Sequence, residues 1–286
     1  VILALALIAT LGGCATTTAG DGDLVDDWAA LPSAAPKVPA SGVCYSASDV
    51  YASRIGGLYT DPIACTTSHA VEAFHVGDLP ADVTLPPQPG KPEFWRTFEE
   101  CERRAKDFLG DEWYNGRLYL RVTVPLTRQW EGGARWYRCE LIETKTMYSD
   151  TVAKRESSLA SGLRDAAPVA QRCADIVGEK AAKDWDDLTP VDCAQPHDTE
   201  YVGSFRVPGT TMPADDRWES IFEGCWDVVA RFTGGTRSGV RLGYLSWTVS
   251  EDGWNRGDRW VRCYAWGEKK MVGSVKGIGN AAPRTG

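Results

Sequence analysis

Trp130-Glu131-Gly132-Gly133-Ala134-Arg135-Trp136-Tyr137-Arg138-Cys139 returns farther along the chain as Trp254-Asn255-Arg256-Gly257-Asp258-Arg259-Trp260-Val261-Arg262-Cys263. Trp, Gly, Arg, Trp, Arg and Cys hold the same intervals in both copies. Strand alternation puts Trp136 and Arg138 on one face and Arg135, Tyr137 and Cys139 on the other, with Trp260 and Arg262 placed in the same way. The apolar runs Leu118 to Val124 and Leu242 to Val249 read as strands. The glycine-bearing stretch between each run and its motif predicts a hairpin whose second strand carries the cysteine.

Working outward from the motif, each copy is preceded by a helical stripe that carries another cysteine. Phe94, Phe98, Cys101, Ala105 and Phe108 step by four and three, as do Trp218, Phe222, Cys225, Val229 and Phe232, so each Cys lies on the buried face of an amphipathic helix. Gly110 and Gly234 stand where a C-cap is wanted. Farther upstream, Cys44 and Cys65 face Cys173 and Cys193. Of the nine cysteines, all but Cys14 thus fall into two matching sets, which indicates tandem duplication. Each unit reads as strand, strand, helix and hairpin. The fold class is α+β, in two small tandem disulfide-stapled domains over residues 43–168 and 169–286.

Four cysteines per unit permit three connectivities. Pairing Cys44–Cys65, Cys101–Cys139, Cys173–Cys193 and Cys225–Cys263 is favoured. The helix Cys and the last-strand Cys point into one small core, and local pairing keeps each domain independent.

The ends and the composition place the chain. Val1 to Gly13 is an apolar run too short to span a bilayer, and it leads through Leu11, Gly12 and Gly13 into Cys14. Residues 1–14 therefore read as an N-terminally truncated signal peptide with a lipobox, and Cys14 as the lipidated residue. Residues 15–42, rich in Ala, Thr, Gly, Pro and Asp, read as a flexible tether with a reach of roughly 30 Å. Export favours disulfides over metal ligation. A content of 43% hydrophobic and 24% charged residues is that of core-forming protein, and a net charge of −8 gives no basic footprint for nucleic acid.

A second shared stretch raises the question of chemistry. Cys193, His197, Glu200 and Pro208 repeat the intervals of Cys65, His69, Glu72 and Pro80. His197 beside Asp198 and Glu200 has the makings of general acid and base work. In the first copy Ala70 stands where Asp198 stands in the second, so the set is not shared. The expectation is that each His and Glu hydrogen-bonds the loop closed by the second Cys, or that Glu pairs with an Arg of the last strand. Zinc at Cys65 and His69, or at Cys193 and His197, lacks the usual close Cys pair, and no metal or cofactor is expected. No nucleophile or phosphate-loop motif is present. Trp113, Trp226, Trp247 and Trp266 have no counterparts between copies and are expected at the surface, where they would suit a carbohydrate or peptidoglycan ligand.

The cysteines, Cys-x3-His-x2-Glu and Trp-x2-Gly-x-Arg-Trp-x-Arg-Cys together resemble the septum-formation domain found in actinobacterial membrane and lipid-anchored proteins. Cys193, Pro196, His197, Asp198 and Glu200 meet the family pattern, whereas Ser68 and Ala70 depart from it in the first copy. The resemblance implies a role at the cell envelope during division and carries over no enzymatic activity. The expectation is a non-enzymatic lipoprotein on the outer face of the cytoplasmic membrane. It would bind or scaffold cell wall or divisome membrane proteins, with His69, Glu72, His197, Asp198, Glu200, Trp136, Arg138, Trp260 and Arg262 as structural or binding candidates. The alternatives are a saccharide binder using tryptophan and a wall hydrolase using His197 with Asp198 or Glu200.

Overall fold

Two antiparallel sheets, each joined to a helix by a disulfide, make up the folded chain. The computed structural model describes residues 35–46, 61–147, 151–165, 168–178 and 185–286. The lipidation reading at Cys14, the signal segment and most of the tether lie outside the described residues. The first sheet holds β1 (Val43–Tyr45), β2 (Val71–Asp78), β3 (Leu118–Thr123) and β4 (Trp136–Glu143) in the order β1-β2-β4-β3. The second holds β5 (Cys173–Gly178), β6 (Trp185–Val191), β7 (His197–Arg206), β8 (Gly243–Trp247) and β9 (Trp260–Met271) in the order β6-β5-β7-β9-β8. The first order thus reappears as β5-β7-β9-β8, and β6 adds an outer strand. The chain has a mixed, strand-rich α and β architecture.

Helix α1 (Pro92–Leu109) starts with Pro at its first turn and ends at Gly110, whose φ of 86° suits a left-handed cap. It buries Phe94, Phe98, Cys101, Ala105 and Leu109 against Leu118, Leu120 and Val122 of β3 and Tyr137, Cys139 and Leu141 of β4. The opposite face of β4 carries Trp136, Arg138 and Ile142, as alternation requires. In the second half one continuous helix was expected, but the structure has two, α3 (Asp215–Phe222) and α4 (Gly224–Thr233). The break falls beside Gly224, where an added Cβ would lie 3.0 Å from the Phe205 ring of β7. Glycine has low helix propensity and lets the strand approach at this point.

The expected hairpin turns are helical. Helix α2 (Thr127–Glu131) lies in the β3–β4 connection and α5 (Glu251–Arg256) in the β8–β9 connection. Polar side chains start both: Gln129 Oε1 accepts from Leu126 N at 2.9 Å, and Ser250 Oγ accepts from Gly253 N. In each motif the first Arg then closes the helix, with the Arg135 guanidinium 3.8 Å from the Trp130 ring centroid and Arg259 4.2 Å from Trp254. Each also donates to the carbonyl of the tryptophan it covers. The recurrent Trp and Arg pair is thus a helix-ending stack.

Disulfides join Cys44–Cys65, Cys101–Cys139, Cys173–Cys193 and Cys225–Cys263. Loops of 20 to 38 residues each contribute roughly 3 to 4 kcal/mol in the chain-entropy picture. Residues Pro36–Gly286 form one compact unit that contains both sheets. The junction between the halves is crossed by backbone bonds, with Arg117 N donating to Val169 O, Gln171 N to Asn115 O and Met147 N to Leu188 O. Helix α1 meets α5 as well: Trp95 Nε1 donates to Asn255 O at 2.9 Å, and Gly90 N to the same carbonyl.

Candidate functional site

The His and Glu of the repeated Cys-x3-His-x2-Glu stretch do the same thing in both halves. His69 Nδ1 lies 2.7 Å from Thr67 O and His197 Nδ1 lies 2.8 Å from Gln195 O. A carbonyl accepts, so Nδ1 is the donor in each ring. Both rings are closed off, at 1% and 0% exposure. Glu72 accepts from Ser158 Oγ at 2.5 Å and Leu159 N at 2.6 Å, and Glu200 from Ser274 Oγ and Val275 N, both at 2.6 Å. These are charge-assisted bonds of buried carboxylates.

The expected partners of the two Glu residues were therefore wrong. Neither ties down the loop of its second Cys or pairs with an Arg of the last strand; each anchors the segment that follows that strand. The two segments then return to the helices alike: Ser161 N and Leu163 N donate to Phe108 O and Leu109 O, and Gly277 N and Gly279 N to Phe232 O and Thr233 O. Asp198 accepts from Ile176 N at 3.2 Å and holds β5 to β7, with Lys270 Nζ 3.7 Å away. His197, Asp198 and Glu200 follow one another along β7, bond to different partners, and are all buried. The sulfurs of Cys44 and Cys65 lie near a ring nitrogen of His69, and those of Cys173 and Cys193 near Glu200. They are committed to S–S bonds and offer no thiolate.

The shared Arg of the last strand has a different partner in each half. Arg138 pairs with Glu140 at 2.6 Å and lies beside the Tyr45 hydroxyl, while Arg121 reaches the other oxygen of Glu140 at 2.5 Å. All three charges are buried. Arg262 pairs instead with Asp258 at 3.1 Å, and its guanidinium lies 5.1 Å from the Trp113 ring centroid. Tyr264 and Leu245 occupy the positions that correspond to Glu140 and Arg121.

Where the halves meet, Glu102 Oε1 accepts from two indoles, Trp113 Nε1 and Trp260 Nε1, each at 2.9 Å. Burial raises the Glu102 carboxyl, the two indole bonds pull it down and the charge of Asp258 raises it, which together leave it at about 7. Trp260 stacks on Tyr114 with centroids 3.9 Å apart, and Tyr201 and Gln171 bond to Asn115 and Tyr114 across the same seam. Trp136, its counterpart, is buried in the first sheet.

Beside this seam is a cavity of about 300 Å³ between the edge strand β3, the edge strand β8 and α5. Arg121, Asp258 and Arg262 line its buried side, and Ser250, Asp252 and Arg256 line its more exposed side. Trp113 and Trp247 contribute aromatic surface. The tryptophans expected at the surface are not fully exposed: Trp113 is buried, and Trp226, Trp247 and Trp266 are half-buried. Trp113 fills the seam because the two halves cover it together, which a reading of separate domains could not show.

Sequence reasoning missed Glu102, Arg121, Gln171 and Asp258. A signal was present, because the copies differ at these places: Trp226 corresponds to Glu102 and Ala134 to Asp258. Segments that pack together in an asymmetric way need different residues where they touch.

A family model described as septum formation matches residues 95–263, more than half of the chain. That match is one span across both halves, whereas the sequence reading has a copy in each. No curated protein and no solved structure matches the chain.

Proposed function

We propose, because the chain belongs to the septum-formation family, that it serves septum formation as a non-enzymatic binding or scaffolding module. A lipid on Cys14 would hold it at the outer face of the cytoplasmic membrane, facing cell wall and divisome membrane proteins. The folded part is proposed to be two tandem copies of one unit. The repeated strand order, the matching disulfides and the paired Glu anchors support that view.

The observation that carries the non-enzymatic reading is the burial of the signature. His69 and His197 are closed to solvent, and Glu72 and Glu200 have their oxygens in bonds to the chain's own backbone and serine hydroxyls. Groups used in this way hold strands and tails together. They do not face a substrate.

A fluorescent fusion of the full chain tests the reading in dividing cells. It should collect at division sites, and Cys14→Ser should release it from the membrane fraction. His197→Ala should lower the melting temperature and septal recruitment together. Loss of activity in His197→Ala with an intact oxidised fold and an unchanged melting temperature would reinstate a catalytic role.

A further inference from the structure

We infer that the cavity between β3, β8 and α5 binds a neutral, hydroxyl-rich ligand of one or two sugar rings. The inference rests on the proposed envelope role and gives that binding module a ligand class. About 300 Å³ sits at the lower end of the roughly 300–1,000 Å³ typical of small-molecule sites, which suits a short saccharide.

The charges of the lining set the ligand's charge. Arg121 is bound to Glu140, Arg262 to Asp258 and Arg256 to Asp252, at 2.5, 3.1 and 2.9 Å. A charged ligand would have to draw a partner out of the buried Arg121 or Arg262 pair, leaving the other uncompensated in a desolvated place. A purely apolar ligand would strip water from the same ion pairs and return no hydrogen bond. A hydroxyl can accept from a guanidinium N–H and donate to a carboxylate oxygen together, so a polyol meets paired charges without separating them.

The apolar part of the lining sets the ligand's shape. Trp247, Tyr119 and Val249, each half-buried, give aromatic and aliphatic surface on the same cavity. A pyranose ring has C–H faces that pack on such surface and hydroxyls around its edge. One ligand thus satisfies both kinds of wall. The two halves contribute together, Arg121 and Tyr119 from one and Arg256 and Trp247 from the other, so neither half alone holds the site.

The test uses the oxidised full chain, titrated with N,N′-diacetylchitobiose and with cellobiose by calorimetry and tryptophan fluorescence. Saturable binding of at least one is expected. Trp247→Ala and Arg256→Gln should each weaken it ~10-fold, while Trp226→Ala, outside the cavity, leaves it unchanged. Arg256 is partly exposed, so its variant tests the site even if Trp247→Ala unfolds. Absence of saturation up to about 10 mM of either probe overturns the inference, as does binding indifferent to both variants or stronger binding of an acidic saccharide. Septal recruitment without saccharide binding rejects this inference and leaves the envelope role. Saccharide binding without recruitment rejects the role.

Discussion

Glu102 has an acid strength set by its position at the seam, and it gives the molecule a pH response. Its carboxyl is raised to about 7, first by burial, so the folded state binds its proton more tightly than the unfolded chain does. Its contribution is complete below the ordinary value of 4.5 and is lost as the pH climbs through about 7. Glu102→Gln keeps an oxygen for both indoles and removes the titration. The variant should match the wild type near pH 4.5 and exceed it above pH 7 by at most about 3 kcal/mol, since one pKa unit is worth about 1.4 kcal/mol. Urea titrations at several pH values read this directly, and parallel curves would remove Glu102 as the cause. Glu200 acts through its bonds to Ser274 and Val275, which fix the C-terminal segment. Glu200→Ala leaves a buried N–H and a hydroxyl without their acceptor, so a loss of about 2 to 4 kcal/mol is expected. Limited proteolysis should find the segment after β9 cleaved first.

Among the elements, α5 shows how a glycine serves packing as much as backbone geometry. Gly257 ends α5 with φ at 116°, and a Cβ there would meet the Phe98 ring of α1 at 2.6 Å. Gly234 ends α4 with φ at 73°, and nothing lies within 4 Å of the place a Cβ would take. Both alanine variants carry the cost of a left-handed residue, roughly 1 kcal/mol. Gly257→Ala must also push α1 away, so it should lose at least about 2 kcal/mol more than Gly234→Ala. Thermal denaturation of the pair separates backbone strain from packing, and equal losses would show that α1 yields freely. Phe98 belongs to the first half and Gly257 to the second, so the contact couples elements that the repeat pattern alone would keep apart.

For the whole molecule, that coupling makes the two sheets one unit. Trp260 is stacked on Tyr114 and bonded to Glu102, so Trp260→Ala opens a gap at the seam worth about 3 to 5 kcal/mol. The loss should move a single unfolding transition that near-ultraviolet dichroism and tryptophan fluorescence report together. Two separated transitions in the wild type would mean that the halves unfold independently. Within each half, the helix stripe, the strand of the Cys motif and the set of four cysteines were legible because they rest on local periodicity and on spacing. Asn115, Gln171 and Glu102 were not, since their partners lie far off in sequence and belong to the other half. By itself the sequence determined a repeated, disulfide-bonded α and β build and a family resemblance, because short-range patterns of burial specify elements whatever they pack against. The tertiary structure alone decided that the His and Glu signature is a buried clamp, that the halves meet at a tryptophan and glutamate seam, and that a cavity lies beside it. Those features depend on which side chains two already folded faces bring within bonding distance.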